Sequence, residues 1–101
     1  MIIYNVTTNI EKAEAERWLK WMLETHIPQV METGMFLDYT VCRLIGDDDS
    51  DGFNYVIQYK CESMEIYKQY IKQFAPALRE DVIKLFGDKF IAYRSLLEVI
   101  K

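Results

Sequence analysis

Three observations in the amino-acid sequence predict an α+β fold: one four-stranded antiparallel sheet with helices packed on one of its faces. Four segments, Met1–Thr8, Met35–Ile45, Phe53–Cys61 and Phe90–Ile100, are rich in the β-branched and aromatic residues that suit a pleated, half-buried surface. Between them, apolar residues recur at i, i+3 and i+4, the helical period. The 101 residues, 50% apolar and 28% charged, suit a single core, and no repeat, low-complexity tract or Pro/Gly/Ser linker divides the chain, so one domain over residues 1–101 is expected.

The elements follow in order. Ile2, Ile3, Tyr4 and Val6 make the first segment a strand. Thr8 and Glu11 have the spacing of a capping box, in which hydroxyl and carboxylate each satisfy an orphan amide of a first helical turn, so a helix is expected to begin there. Ala15, Trp18, Leu19, Met22, His26 and Val30 would form its docking face, with Glu14, Arg17, Lys20 and Glu24 elsewhere. Pro28 lacks an amide hydrogen and its ring clashes with the preceding turn; the helix should kink or restart near His26-Ile27-Pro28 and stop by Gly34. Met35–Ile45 and Phe53–Cys61 then read as a hairpin joined by a long polar turn, Gly46–Gly52. Ser63 can cap a second helix carrying Met64, Tyr67, Tyr70, Ile71 and Phe74. Pro76 breaks it and opens a short third helix to Phe86, with Gly87 as its stop. Phe90–Ile100 supplies the last strand.

The order β-α-β-β-α-β is the split βαβ, or ferredoxin-like, arrangement. Placing the more apolar parity of each strand against the helices predicts a core of Tyr4, Val6, Tyr55, Ile57, Tyr59, Tyr93, Leu97 and Val99 under Trp18, Leu19, Met22, Tyr70, Ile71 and Phe74. The other parity holds Ile3, Asn5, Thr7, Val56, Gln58, Arg94, Leu96 and Glu98, neither clean core nor clean surface. A half-apolar sheet face of this kind calls for a partner, and a homodimer is the commonest solution. Two such faces would enclose Asn5, Gln58 and Arg94, which makes these three the candidate ligand-binding residues. A buried Arg94 would need Glu98, a carbonyl or a ligand carboxylate to compensate its charge.

Composition removes several function classes. With 12 Lys and Arg against 16 Asp and Glu, the net charge of −4 repels phosphate backbones, so nucleic acid is not an expected partner. No basic n-region precedes the opening apolar residues and no apolar run reaches the roughly 18 to 20 residues a bilayer requires, so neither secretion nor a membrane is expected and the protein reads as cytoplasmic. Cys42 and Cys61 lack the spacing and companion histidines of a zinc site and read as reduced, packed thiols; neither metal nor cofactor is expected. Asp47, Asp49, Asp51 and Gly52 match the opening of a calcium loop, but Gln58 stands where the closing glutamate belongs and the flanks read as strands. A solvated acidic turn is the plainer reading. His26 is the only histidine: at a helix break it is the candidate catalytic residue, as a proton carrier, or else a side chain that complements the helix end or fills a gap. The elbow of a serine hydrolase is missing, and the seven tyrosines read as packing.

The stretch from Met1 to Ile10, the segment from Trp18 to Met22 leading into His26-Ile27-Pro28, the Cys42-Arg43 pair, and Phe86 to Phe90 followed by Arg94 and Glu98-Val99 resemble, over nearly the whole length, a family of short bacterial proteins classified as a domain of unknown function. The resemblance implies a stand-alone cytoplasmic protein with a ferredoxin-like fold of the dimeric α/β-barrel type, and brings no catalytic residues. By fold the chain is similar to a wider superfamily of cofactor-free monooxygenases, lactone isomerases and haem-binding members; a haem ligand would have to be His26. Fold does not fix function, and two readings follow. One is a homodimer binding a small organic or acidic ligand, or a protein partner, through the sheet interior or the cleft beneath the helices. The other is a cofactor-independent oxygenase or isomerase with His26 as acid and base and Tyr59 or Arg94 orienting the substrate.

Overall fold

A computed structural model describes residues 1–46 and 52–101. Strand β1 (Ile2–Glu11) leads into helix α1 (Lys12–Trp21), a π-helical turn at Met22–His26 and α2 (Ile27–Glu32). Then come β2 (Asp38–Arg43), β3 (Gly52–Cys61), α3 (Met64–Gln73), α4 (Ala75–Phe86) and β4 (Phe90–Glu98). The sheet order is β2-β3-β1-β4 with every neighbouring pair antiparallel, so the ferredoxin-like α+β arrangement is as expected. Strand β1 lies inside the sheet, bonded to β3 on one side and β4 on the other.

Strand β1 is longer than the capping-box reading allows. Thr8 pairs with Tyr55 and Ala92, Ile10 pairs with Phe53 and Phe90, and α1 starts only after Glu11, without a side-chain cap. Ladder bonds on both edges of β1 and complete burial of Ile10 outweigh the single bond a Thr8 cap would make. The Ser63 cap does form, its hydroxyl accepting from the Ile66 amide at 3.3 Å, and Gly87 ends α4 with φ +55°. Pro28 acts as expected but more gently. Its ring cannot share a regular α turn with Glu24, and the helix widens into a π turn in which the Ile27 amide bonds the Met22 carbonyl five residues back.

The inward parity of β1 and β3, from Ile2 to Ile10 and from Phe53 to Cys61, meets Trp18, Met22, Ile27, Val30, Tyr70 and Phe86 in the core. Phe36, just before β2, joins it where a strand was expected to begin at Met35. The last strand overturns the parity expectation. The register pairs Val6 with Arg94 and Tyr4 with Leu96, so Phe90, Ala92, Arg94, Leu96 and Glu98 share the helix side. Tyr93, Leu97 and Val99 are not core; with Ile91 they are exposed on the open face, Tyr93 at 66% and Ile91 at 57%. The tight connection after α4 decides this: the Lys89 amide bonds the Phe86 carbonyl and the Glu11 amide bonds the Lys89 carbonyl, which turns Phe90 inward, and a period of two carries that choice along the strand.

Gly52 begins β3 where β1 ends, and a Cβ there would collide with the Ile10 carbonyl oxygen. Gly52→Ala should therefore lower stability by roughly 1–3 kcal/mol; an unchanged urea midpoint would refute the close approach.

Candidate functional site

Between the inward face of the sheet and the helices lies a cavity of about 240 Å³. Its floor is β1, β3 and the inward parity of β4; its walls include Met22, His26 and Val30 on one side and Leu78, Arg79 and Val82 on the other. Most of this lining is aliphatic or aromatic, with a few polar groups among it, the composition of a small-molecule site.

Tyr4 organises the polar end. Its ring is packed among Phe36, Tyr59, Tyr67 and Tyr70, with centroids 5.2 to 6.1 Å away. Its hydroxyl accepts a hydrogen bond from Arg79 Nη2 at 3.0 Å and another from Arg94 Nε at 3.1 Å. Burial, followed by the neighbouring tyrosines, pushes the Tyr59 and Tyr70 phenols well above their ordinary range, so both stay protonated at neutral pH. Tyr59 lines the cavity, as the orienting role suggested for it requires.

His26 closes the π turn and is buried, its ring 5.3 Å from Trp21. Its Nδ1 is shielded from water and has no hydrogen-bond partner. Burial lowers the imidazole to about 4; the Asp81 carboxylate opposes this and the Arg94 guanidinium adds to it. At neutral pH His26 is thus an uncharged side chain on the cavity wall, able to accept a proton. A porphyrin does not fit beside it: the cavity is smaller than the range that holds drug-sized ligands.

The three residues expected to bind ligand together are split by the sheet. Asn5 and Gln58 lie on the open face, where Gln58 Nε2 donates to Asn5 Oδ1 at 3.0 Å and Asn5 Nδ2 donates to Ser95 Oγ at 3.3 Å. Arg94 is on the opposite side, in the cavity with His26, and its partner is the Tyr4 hydroxyl instead of Glu98. Sequence reasoning missed Arg79. Ala75, Arg79, Val82 and Phe86 form an i, i+4, i+7, i+11 row whose other members are buried or half-buried, and that row was the available clue. Cys61 is packed, its thiol donating to the Ser63 carbonyl and pushed up by burial, but Cys42 is exposed on the open face instead of packed. Asp47, Asp49 and Asp51 lie outside the described residues. Among the described residues no cluster of His, Cys, Asp and Glu is suited to a metal ion, and no helix is long and apolar enough to cross a membrane.

The buried imidazole makes stability pH-dependent. Native His26 takes a proton at about 4 and the unfolded chain at 6.5, so between these values the unfolded state binds more protons. The contribution is complete above pH 6.5 and is lost as pH falls towards 4, by up to about 3 kcal/mol. Urea unfolding from pH 7.5 to 4.5 should show the stability gap between wild type and His26→Gln shrinking as pH falls; a constant gap would contradict a neutral buried His26.

Solved structures share this architecture at low sequence identity. An EthD family protein from Bacillus halodurans C-125 superposes with a TM-score of 0.75 at 16% identity, covering 99% of this chain and 100% of that one. A dimeric ferredoxin-like protein from an uncultured marine organism gives 0.79 at 12% identity, covering 99% and 95%. SnoaB, a cofactor-independent oxygenase from Streptomyces nogalater, gives 0.70 at 12% identity, covering 99% and 93%. These likenesses concern the fold alone. No curated protein matches the sequence. Residues 1–100 match one family over almost the whole chain, and the protein belongs to it: DUF4286, described as a domain of unknown function.

Proposed function

We propose that this protein is a homodimer that binds a small, largely apolar molecule in the cavity between sheet and helices of each subunit. The observation that carries the ligand reading is the cavity itself, an apolar chamber of about 240 Å³ into which the sequence has placed two arginines and the only histidine. A shielded arginine Nε and a shielded imidazole nitrogen, both without partners, are costly in a core that serves packing alone, and useful where a ligand arrives.

The dimer reading rests on the open face. Ile91, Tyr93, Leu97 and Val99 line one edge of it, next to the polar Asn5–Gln58–Ser95 chain, and a second copy would remove that stripe from water. A likeness in fold to a protein described as a dimeric ferredoxin-like protein supports the same arrangement. Light scattering should return twice the chain mass at micromolar concentration, and Tyr93→Glu/Leu97→Glu should return a folded monomer. A wild-type monomer would end this part of the reading.

One observation favours a second, enzymatic reading: the only histidine stands on the cavity wall with its Nδ1 unpartnered, uncharged at neutral pH although burial weakens it as a base. Cofactor-independent oxygenation and isomerisation both begin by removing a proton from carbon, and the fold is also that of a cofactor-independent oxygenase. 2-Tetralone, a compact ketone with an acidic C–H bond, tests both readings at once. It should shift the methyl resonances of Met22 and Ile57. If His26 is a base, the protein should accelerate deuterium exchange at C1 and His26→Gln should lose the acceleration. Binding without acceleration leaves a binding protein; unshifted methyls overturn the cavity as its site.

A further inference from the structure

We propose that the molecule held in this cavity is a carboxylate, its anionic end met by Arg79, Arg94 and the proton of the Tyr4 hydroxyl, and its apolar body lying against Met22, Val30 and Ile57. The inference rests on the cavity being a ligand site and names the chemistry of the ligand. Three features carry it. Two guanidiniums converge on one uncharged oxygen, with Arg79 Nη2 3.0 Å and Arg94 Nε 3.1 Å from Tyr4 Oη. Among the described residues neither has a carboxylate within ion-pair distance, in a chain with 16 acidic residues against 12 basic ones. The second feature is Arg79 Nε, which is shielded from water and has no acceptor. The third is the Tyr4 proton. Both lone pairs of that oxygen are taken by the arginines, and no acceptor for the O–H lies among the described residues. Unused donors beside uncompensated positive charge fit an anion with acceptor oxygens.

Charge and shape favour a carboxylate over a phosphate. The cavity, about 240 Å³ and mostly apolar, suits a small, singly charged carboxylate better than a bulkier, more highly charged phosphoryl group. A phosphoryl group prefers the amides of a helix start, whereas α4 presents Arg79 from its second turn. Most of the remaining lining is aliphatic or aromatic and would hold a hydrocarbon or aromatic body.

Three probes of one shape separate the possibilities: 1-naphthoate, 1-naphthamide and 1-naphthyl phosphate, titrated at pH 7.5 while methyl resonances of Met22, Val30 and Ile57 are followed. The acid should bind at least about tenfold more tightly than the amide and the phosphate ester, as charge-assisted hydrogen bonds imply. Arg79→Gln and Arg94→Gln should each cut the advantage of the acid over the amide to less than about threefold. Should Arg79→Gln lose the native spectrum, Arg94→Gln, at the more exposed edge of the sheet, decides. Equal affinity of acid and amide for the wild type overturns the carboxylate clamp and leaves the cavity a ligand site. Tighter binding of the phosphate ester overturns the carboxylate assignment. Failure of all three to shift the methyls overturns the clamp and the cavity reading together.

Discussion

The convergence of Tyr4, Arg79 and Arg94 is the constraint on which the rest of the molecule depends. Tyr4 sits on the inner strand β1, so ladder bonds on both edges hold its backbone, and the aromatic rings around it fix its side chain. A phenol so placed presents its oxygen at one point, and that point ties the second turn of α4 to the middle of β4. The polar wall of the cavity is therefore built on the most firmly held strand of the sheet. Side chains that must meet a ligand need this kind of support, because their geometry is only as good as the packing behind them.

Much of the architecture was legible in the sequence. The period-two alternation of β3, the Ser63 cap, the stop at Gly87 and the break at Pro76 are local effects, and local physics decided each. Thr8 was misread because a capping motif looks the same whether or not a strand continues through it; the choice belongs to β3 and β4, remote in sequence. The parity of β4 was misread for a related reason. Ile91, Tyr93, Leu97 and Val99 are the more apolar set, and apolar residues inside is a sound rule for a lone domain. The connection after α4 turns Phe90 inward instead, so Arg94 was placed with Asn5 and Gln58 when it belongs with His26. Arg79 was passed over because an arginine among apolar neighbours on a helix reads as surface unless the opposing phenol is known.

His26 and Pro28 show how one local defect serves the site. A regular helix through this segment would give each residue the position set by 3.6 residues per turn. The widened turn absorbs Pro28 and still leaves the imidazole on the inward side with Met22 and Val30, buried and uncharged on the cavity wall. The chain thus carries a proline where helices seldom tolerate one and a histidine where cores seldom want one, two positions apart. A helix chosen for stability alone would lack both.

The central position of β1 also bears on how the molecule comes into being. This strand is made first, yet its neighbour on one side, β4, is made last, and their pairs join residues as remote as Ile2 and Glu98. Until β4 emerges during translation, one edge of β1 has no strand beside it and offers a bare row of amides and carbonyls to any other chain. The edge of β1 stays unfinished for the whole interval between the two strands, in which an extended segment of another chain could take the place of β4.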